Sequence, residues 1–80
     1  MRKFEIGKVY KISGDKDMKI EITNRSAYNI QFTRDGSKMI YNHNLAQYEF
    51  FPDSENTEYV DLWITKDKAV RVKAVNEIAQ

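Results

Sequence analysis

Apolar and polar residues alternate strictly in two segments near the middle of the chain, residues 18–23 and 28–33. A period of two is that of a β-strand with one buried face. Two such runs in succession therefore predict an antiparallel pair with a common apolar face. The apolar members of this face are Met18, Ile20, Ile22, Tyr28, Ile30 and Phe32.

The loop between these two segments sets their predicted register. A slip of one residue would turn a strand over and expose its apolar side chains. A three-residue loop at 24–26 avoids this, and it places Ile22 opposite Tyr28 and Ile20 opposite Ile30.

A second turn follows at Asp35-Gly36. This dipeptide favours a two-residue type I′ hairpin, because both central residues of that turn need a positive φ. We therefore expect Phe32 opposite Met39, with Ile40 on the outer face of the next strand.

Further strands are predicted on both sides of this region. Residues 4–12 form a first strand, in which Gly7 marks a bulge or bend. Residues 42–51 fit another short strand or a single helical turn. Residues 52–58 form an acidic surface loop, and residues 76–80 form a frayed tail or one helical turn. The inward positions of the first strand are Phe4, Ile6, Tyr10 and Ile12.

The last predicted hairpin joins residues 59–65 to residues 69–75. A three-residue loop keeps the apolar positions of both strands on the inner face, with Ile64 opposite Val70 and Leu62 opposite Val72. The expected outer pairs are Trp63 beside Arg71, Asp61 beside Lys73, and Tyr59 beside Val75.

Six to seven short strands joined by tight turns predict an all-β fold. The expected form is a small, strongly curved antiparallel sheet or a partly open barrel, with SH3-like as the first description and OB-like as the runner-up. Either fold hosts many unrelated functions, so the fold class assigns no activity.

Length and composition predict one small domain, residues 1–80. The chain has no cysteine and is 41% hydrophobic, so its stability has to come from packing, with no disulfide or cysteine-bound zinc. Neither a signal peptide nor an apolar run long enough to span a membrane is visible. We expect a cytoplasmic protein with no membrane partner; nothing in the sequence predicts an oligomeric state.

Charge argues against a strongly electrostatic nucleic-acid binder, because the net charge is only +1. The charge is nevertheless uneven. Residues 1–40 hold nine Lys/Arg against five Asp/Glu, a balance of +4, and residues 41–80 hold four against seven, a balance of −3. A nucleic-acid-binding β-barrel therefore stays open as an alternative, with candidate cations Lys3, Lys8, Lys11, Lys19 and Arg25.

No residue set nominates an enzymatic reaction, a cofactor or a metal. The single histidine, His43, has no partner that suggests a catalytic triad. One histidine without cysteines does not make a transition-metal site. We expect a protein that is not an enzyme.

The outer face of the last hairpin is the candidate partner-binding surface. Trp, Tyr and Arg are enriched at protein hot spots, and aromatic side chains can also stack on nucleobases. The alternative, left open by the sequence, is that Trp63 packs under the N-terminal strand or the C-terminal tail. The candidate residues are Trp63, Tyr59, Arg71 and Lys73.

Two segments, FEIGKVY at 4–10 and NRSAYNI at 24–30, resemble a group of short uncharacterised proteins from phages and mobile elements of Gram-positive bacteria. That group shares an F-x-[VI]-G-K-x-Y opening and an R-[ST]-A segment entering a later strand. The likeness covers about the first 35 residues, and the cysteine that many members carry after the first strand is missing. The resemblance implies an accessory gene, a setting in which small proteins bind or inhibit host proteins.

These observations favour a non-enzymatic protein-interaction module whose partner is another protein. The sequence does not identify that partner or its pathway.

Overall fold

The computed structural model describes residues 2–11, 19–48 and 57–78, and in these ranges it contains eight short β-strands. The strands are β1 (Val9–Lys11), β2 (Lys19–Arg25), β3 (Asn29–Arg34), β4 (Tyr41–Asn44), β5 (Ala46–Tyr48), β6 (Thr57–Thr65), β7 (Lys68–Lys73) and β8 (Glu77–Ile78). None of the described residues belongs to a helix that is long and apolar enough to cross a membrane.

The strands form two antiparallel sheets. One sheet has the order β4-β3-β2-β1-β8 and the other the order β5-β6-β7. The two sheets do not join into a closed barrel within the described part of the chain. The predicted all-β fold of short antiparallel strands is confirmed.

Both sheets contribute to one apolar core. Every buried apolar residue lies at a position that the alternation assigns to the inner face, because the side-chain period of a strand is two. The buried set is Phe4, Tyr10, Ile20, Ile22, Ile30, Phe32, Val60, Leu62, Val72 and Ala74.

The predicted pairing of β2 with β3 is wrong in register, although the faces are right. Ile22 lies opposite Phe32 and not opposite Tyr28. The connection lies at residues 26–28, two residues later than the expected loop at 24–26, and a β-bulge at Thr23 shifts the register between Ile22 and Asn24. Tyr28 is left in the connection and is 81% exposed.

The turn at Asp35-Gly36 forms as expected, but the pairing beyond it does not. Asp35 and Gly36 both have positive φ, 51° and 77°, and the Ser37 N–H donates to the Arg34 carbonyl over 2.8 Å. Residues 38–40 then leave the sheet, so that Phe32 lies opposite Tyr41. Met39 and Ile40 are exposed in this connection.

The two ends of the chain also differ from expectation. Residues 6–7 form a turn, with Gly7 at φ 88°, so the expected bend is present but Ile6 is exposed. In the predicted tail, Glu77 and Ile78 form β8 and pair with β1. Residues 79 and 80, like the predicted inward residues Ile12 and Met18, lie outside the described residues.

Candidate functional site

The β6–β7 hairpin carries the candidate surface, and its register is shifted from the predicted one. Val60 lies opposite Val72 and Leu62 opposite Val70. Each pair is displaced by two residues from expectation, because the connection at 66–67 is shorter and a bulge lies between Trp63 and Thr65. An even displacement leaves the inner and outer faces as predicted.

The outer face consists of three cross-strand pairs. The Glu58 carbonyl accepts a hydrogen bond from the Ala74 N–H over 2.9 Å, so the inner pairs that follow at intervals of two are the hydrogen-bonded ones. The outer pairs are therefore the non-hydrogen-bonded ones, whose side chains lie closer together. They are Tyr59 with Lys73, Asp61 with Arg71, and Trp63 with Ala69.

Arg71 is held from two sides on this face. Its Nε and Nη2 donate to the two carboxylate oxygens of Asp61, over 2.9 and 3.2 Å. Its guanidinium carbon lies 3.9 Å from the centre of the Tyr59 ring, a cation–π geometry. The prediction that Arg71 lies opposite Trp63 is therefore wrong: its cross-strand neighbour is Asp61.

Trp63 is 62% exposed and lies across from the small side chain of Ala69. The alternative prediction, that Trp63 packs under the N-terminal strand or the C-terminal tail, is wrong. We call the outer surface formed by Tyr59, Asp61, Trp63, Arg71 and Lys73 the aromatic face. It presents an open indole next to a cation whose position is set by two neighbours.

The five cations suggested for nucleic-acid binding have different surroundings, and two of them are paired with acidic side chains. Lys8 Nζ lies 2.9 Å from a carboxylate oxygen of Glu5 and 2.9 Å from one of Glu77. Hydrogen bonds to these two acids raise the pKa of Lys8. Lys11 and Lys19 are exposed opposite each other on β1 and β2.

Arg25, another of these cations, forms a buried ion pair with Glu58. Its Nη1 and Nη2 donate to the two oxygens of the Glu58 carboxylate over 2.7 and 2.9 Å. The same carboxylate accepts the Phe4 N–H over 2.8 Å, and the Arg25 guanidinium donates to the Phe4 carbonyl over 2.7 Å. Glu58 is only 3% exposed. The prediction of residues 57 and 58 as part of an acidic surface loop is wrong, because Thr57 and Glu58 are buried in β6; the rest of that loop, 52–56, lies outside the described residues.

Burial and hydrogen bonding oppose each other at Glu58. Burial would raise the pKa of its carboxyl, but the hydrogen bonds from Arg25 and from the Phe4 N–H, with the charges of Arg25 and Lys3, lower it overall. The hydrogen bond to Glu58 raises the pKa of Arg25. The pair is thus ionised on both sides at neutral pH.

Sequence reasoning missed this pair, although one signal was available. Glu58 has the parity of Val60 and Leu62 and so belongs to the inner row of β6. A carboxylate in a buried row needs a charged or hydrogen-bonding partner. The partner's identity could not be read from the sequence, since Arg25 reaches the inner face only through the bulge at Thr23.

A groove of about 760 Å³ opens beside this ion pair. The N-terminal segment and the β2–β3 connection form its walls, and its lining carries both signs of charge. Among the lining residues are Lys3, Glu5, Ile6, Arg25, Ala27 and Glu77. This mixture does not select for one ligand class.

His43 lies in the inner row of β4, opposite Ile30. Its ring centre is 5.3 Å from that of Phe32. Burial, followed by the charge of Arg34, lowers the pKa of His43. These surroundings are those of a packed side chain against the core.

No family model, curated protein or solved structure matches this chain.

Proposed function

We propose that this chain is a small non-enzymatic module that binds another protein through the aromatic face of β6 and β7. The observation that supports the proposal is the exposure of Trp63 on the outer face of β6, the face that also carries the stacked pair of Tyr59 and Arg71. A large aromatic side chain left in water on a rigid strand gains free energy when a partner covers it.

The rigidity of the surface favours binding. Arg71 is held by the Asp61 carboxylate and the Tyr59 ring, so less side-chain entropy is lost when a partner docks than for a free arginine. Tryptophan, tyrosine and arginine are also the residue types that dominate the energetics of protein interfaces.

Nucleic acid is the weaker alternative. Lys8 and Arg25, two of the five candidate cations, are engaged by acidic side chains of the protein itself. The resemblance of the N-terminal segments to small phage and mobile-element proteins supports a more specific form of the proposal, in which the partner is a host protein whose activity is altered or inhibited.

Affinity capture from an extract of the organism that carries the gene tests the proposal. The baits are the unaltered protein, Trp63→Thr, and Lys68→Thr as an exposed control in the same hairpin. The expected result is a protein that is retained by the unaltered bait and by the control after nuclease treatment, and is lost with Trp63→Thr. Retention of that protein by Trp63→Thr, or its loss on nuclease treatment, would contradict the proposal.

A further inference from the structure

A row of side-chain amides crosses the outer face of the five-stranded sheet. Asn24 lies opposite Gln31, and Gln31 lies opposite Asn42, on three neighbouring strands. A second amide pair, Asn29 and Asn44, lies two residues further along β3 and β4. We call these five residues the amide face.

The core determines that these side chains point outward. Ile30 and Phe32 are buried on the inner side of β3, so the alternate residues Asn29 and Gln31 lie on the other side. The bulge at Thr23 places Asn24 on that outer side too, across from Gln31.

Folding stability does not explain this composition. Asparagine is depleted in β-strands, and the measured scale of strand propensity spans about 1 kcal/mol. Nevertheless, four of the six asparagines of the chain lie in β2, β3 and β4. Residue types that disfavour the local secondary structure are expected at positions where function requires them.

The amides are available for a ligand. Gln31, Asn42 and Asn44 make no side-chain hydrogen bond with the described residues, and Asn42 and Asn44 are exposed. Asn24 and Asn29 use their carbonyl oxygens locally, towards the Arg25 N–H and the Ser26 hydroxyl. Each amide group also carries two N–H donors.

The outward positions of β3 and β4 carry neither Lys nor Arg, and the outward residue that β2 places opposite Thr33 is acidic, Glu21. Among the described residues, the outward positions of β3 and β4 hold only amides and Thr33. A phosphate backbone is bound mainly by Lys and Arg, so a nucleic acid does not fit this composition. A ligand that is uncharged and rich in hydroxyl groups does, because a hydroxyl both donates to and accepts from an amide.

We propose that the amide face binds a neutral glycan. Three amides on adjacent strands extend over roughly 10 Å, twice the spacing of about 4.8 Å between strands, a length that a short oligosaccharide can cover. Tyr28 directly precedes β3 and is 81% exposed, but the proposal does not depend on its ring. This site is separate from the aromatic face and does not depend on the function proposed for it.

Nuclear magnetic resonance of the side-chain amide groups tests this proposal directly. The uniformly ¹⁵N-labelled protein is titrated with neutral oligosaccharides of glucose, mannose, galactose and N-acetylglucosamine, and with a short single-stranded oligonucleotide. The expected result is that at least one oligosaccharide shifts the amide signals of Gln31 and Asn42, while the signal of Asn76, at the β7–β8 turn, stays in place. The oligonucleotide should shift none of them.

The double variant Gln31→Thr/Asn42→Thr provides the matched control. Threonine suits a strand better than these amides, so the variant should unfold at the same or a higher temperature while binding the oligosaccharide about tenfold more weakly or worse, through the loss of two hydrogen-bonding groups. Lys68→Thr should bind unchanged. The proposal is overturned if no oligosaccharide shifts the amide signals, if the double variant binds as well as the unaltered protein, or if only the oligonucleotide binds.

Discussion

Arg25 and Glu58 form a bidentate ion pair at the junction of the two sheets, with N–O distances of 2.7 and 2.9 Å. Arg25 ends β2 in one sheet, and Glu58 is the second residue of β6 in the other. The backbone N–H and carbonyl of Phe4 bind the same two side chains. Three segments that are distant in sequence are therefore connected at one charged cluster.

Removal of one partner of this pair should destabilise the protein strongly. Glu58→Gln leaves the Arg25 charge in a largely buried site, and loss of one partner of a buried pair costs about 3–5 kcal/mol. We expect a decrease near the lower end of that range in the free energy of unfolding, measured by urea denaturation, because the Arg25 side chain keeps 19% of its exposure.

The double variant Arg25→Met/Glu58→Leu separates the loss of the ion pair from the cost of leaving one charge unpaired. It removes both charges and keeps apolar volume, so it should be more stable than Glu58→Gln. If the double variant lost as much free energy of unfolding as Arg25→Met and Glu58→Leu lose together, the two side chains would act independently. That result would contradict the structure.

Acid should weaken the fold through the same carboxyl. The pKa of Glu58 in the folded protein lies below its ordinary value of 4.5, so its stabilising contribution is present above pH 4.5 and is lost as the pH falls through the lower folded value. The free energy of unfolding should therefore decrease with pH below about 4.5, and Glu58→Gln should show a smaller slope there. An unchanged slope in Glu58→Gln would assign the acid sensitivity to other groups.

His43 should add a second pH dependence of folding stability, in a higher pH range than that of Glu58. Its pKa is below the ordinary value of 6.5 in the folded protein, because burial and the nearby Arg34 charge disfavour the imidazolium. Between the two pKa values the unfolded chain binds the extra proton, so stability should fall as the pH drops below 6.5. His43→Phe, which keeps an aromatic ring against Phe32, should abolish this dependence in thermal unfolding between pH 5 and pH 7.5.

Trp63 should behave as a solvent-exposed fluorophore. With 62% of its surface in water, its emission should be quenched by acrylamide nearly as readily as that of a free indole. Trp63→Thr should change the free energy of unfolding by less than about 1 kcal/mol. Leu62→Ala, one residue away but 1% exposed, should cost about 2–5 kcal/mol. Equal losses from the two substitutions would mean that Trp63 is part of the core.

Strand faces were predictable from the sequence alone. Ile20, Ile22, Ile30 and Phe32 are all buried as the alternation predicts, because successive side chains of any strand point to opposite sides. The turn at Asp35-Gly36 was predictable for an equally local reason, the need for positive φ at both residues. The sequence also located the aromatic face, since the parity of Tyr59 and Trp63 is opposite to that of the core residues of β6.

Register and charge pairing, by contrast, were decided by the tertiary structure. Each of the three predicted hairpins kept its faces but shifted in register, by four residues in β2–β3 and by two in β3–β4 and β6–β7, since alternation distinguishes odd from even displacements and nothing finer. Where a bulge falls depends on packing across the whole sheet. The bulge at Thr23 sends Asn24 outward and Arg25 inward, towards a carboxylate 33 residues away in sequence. Arg25 thus became an internal partner of Glu58 through a contact that no local pattern encodes.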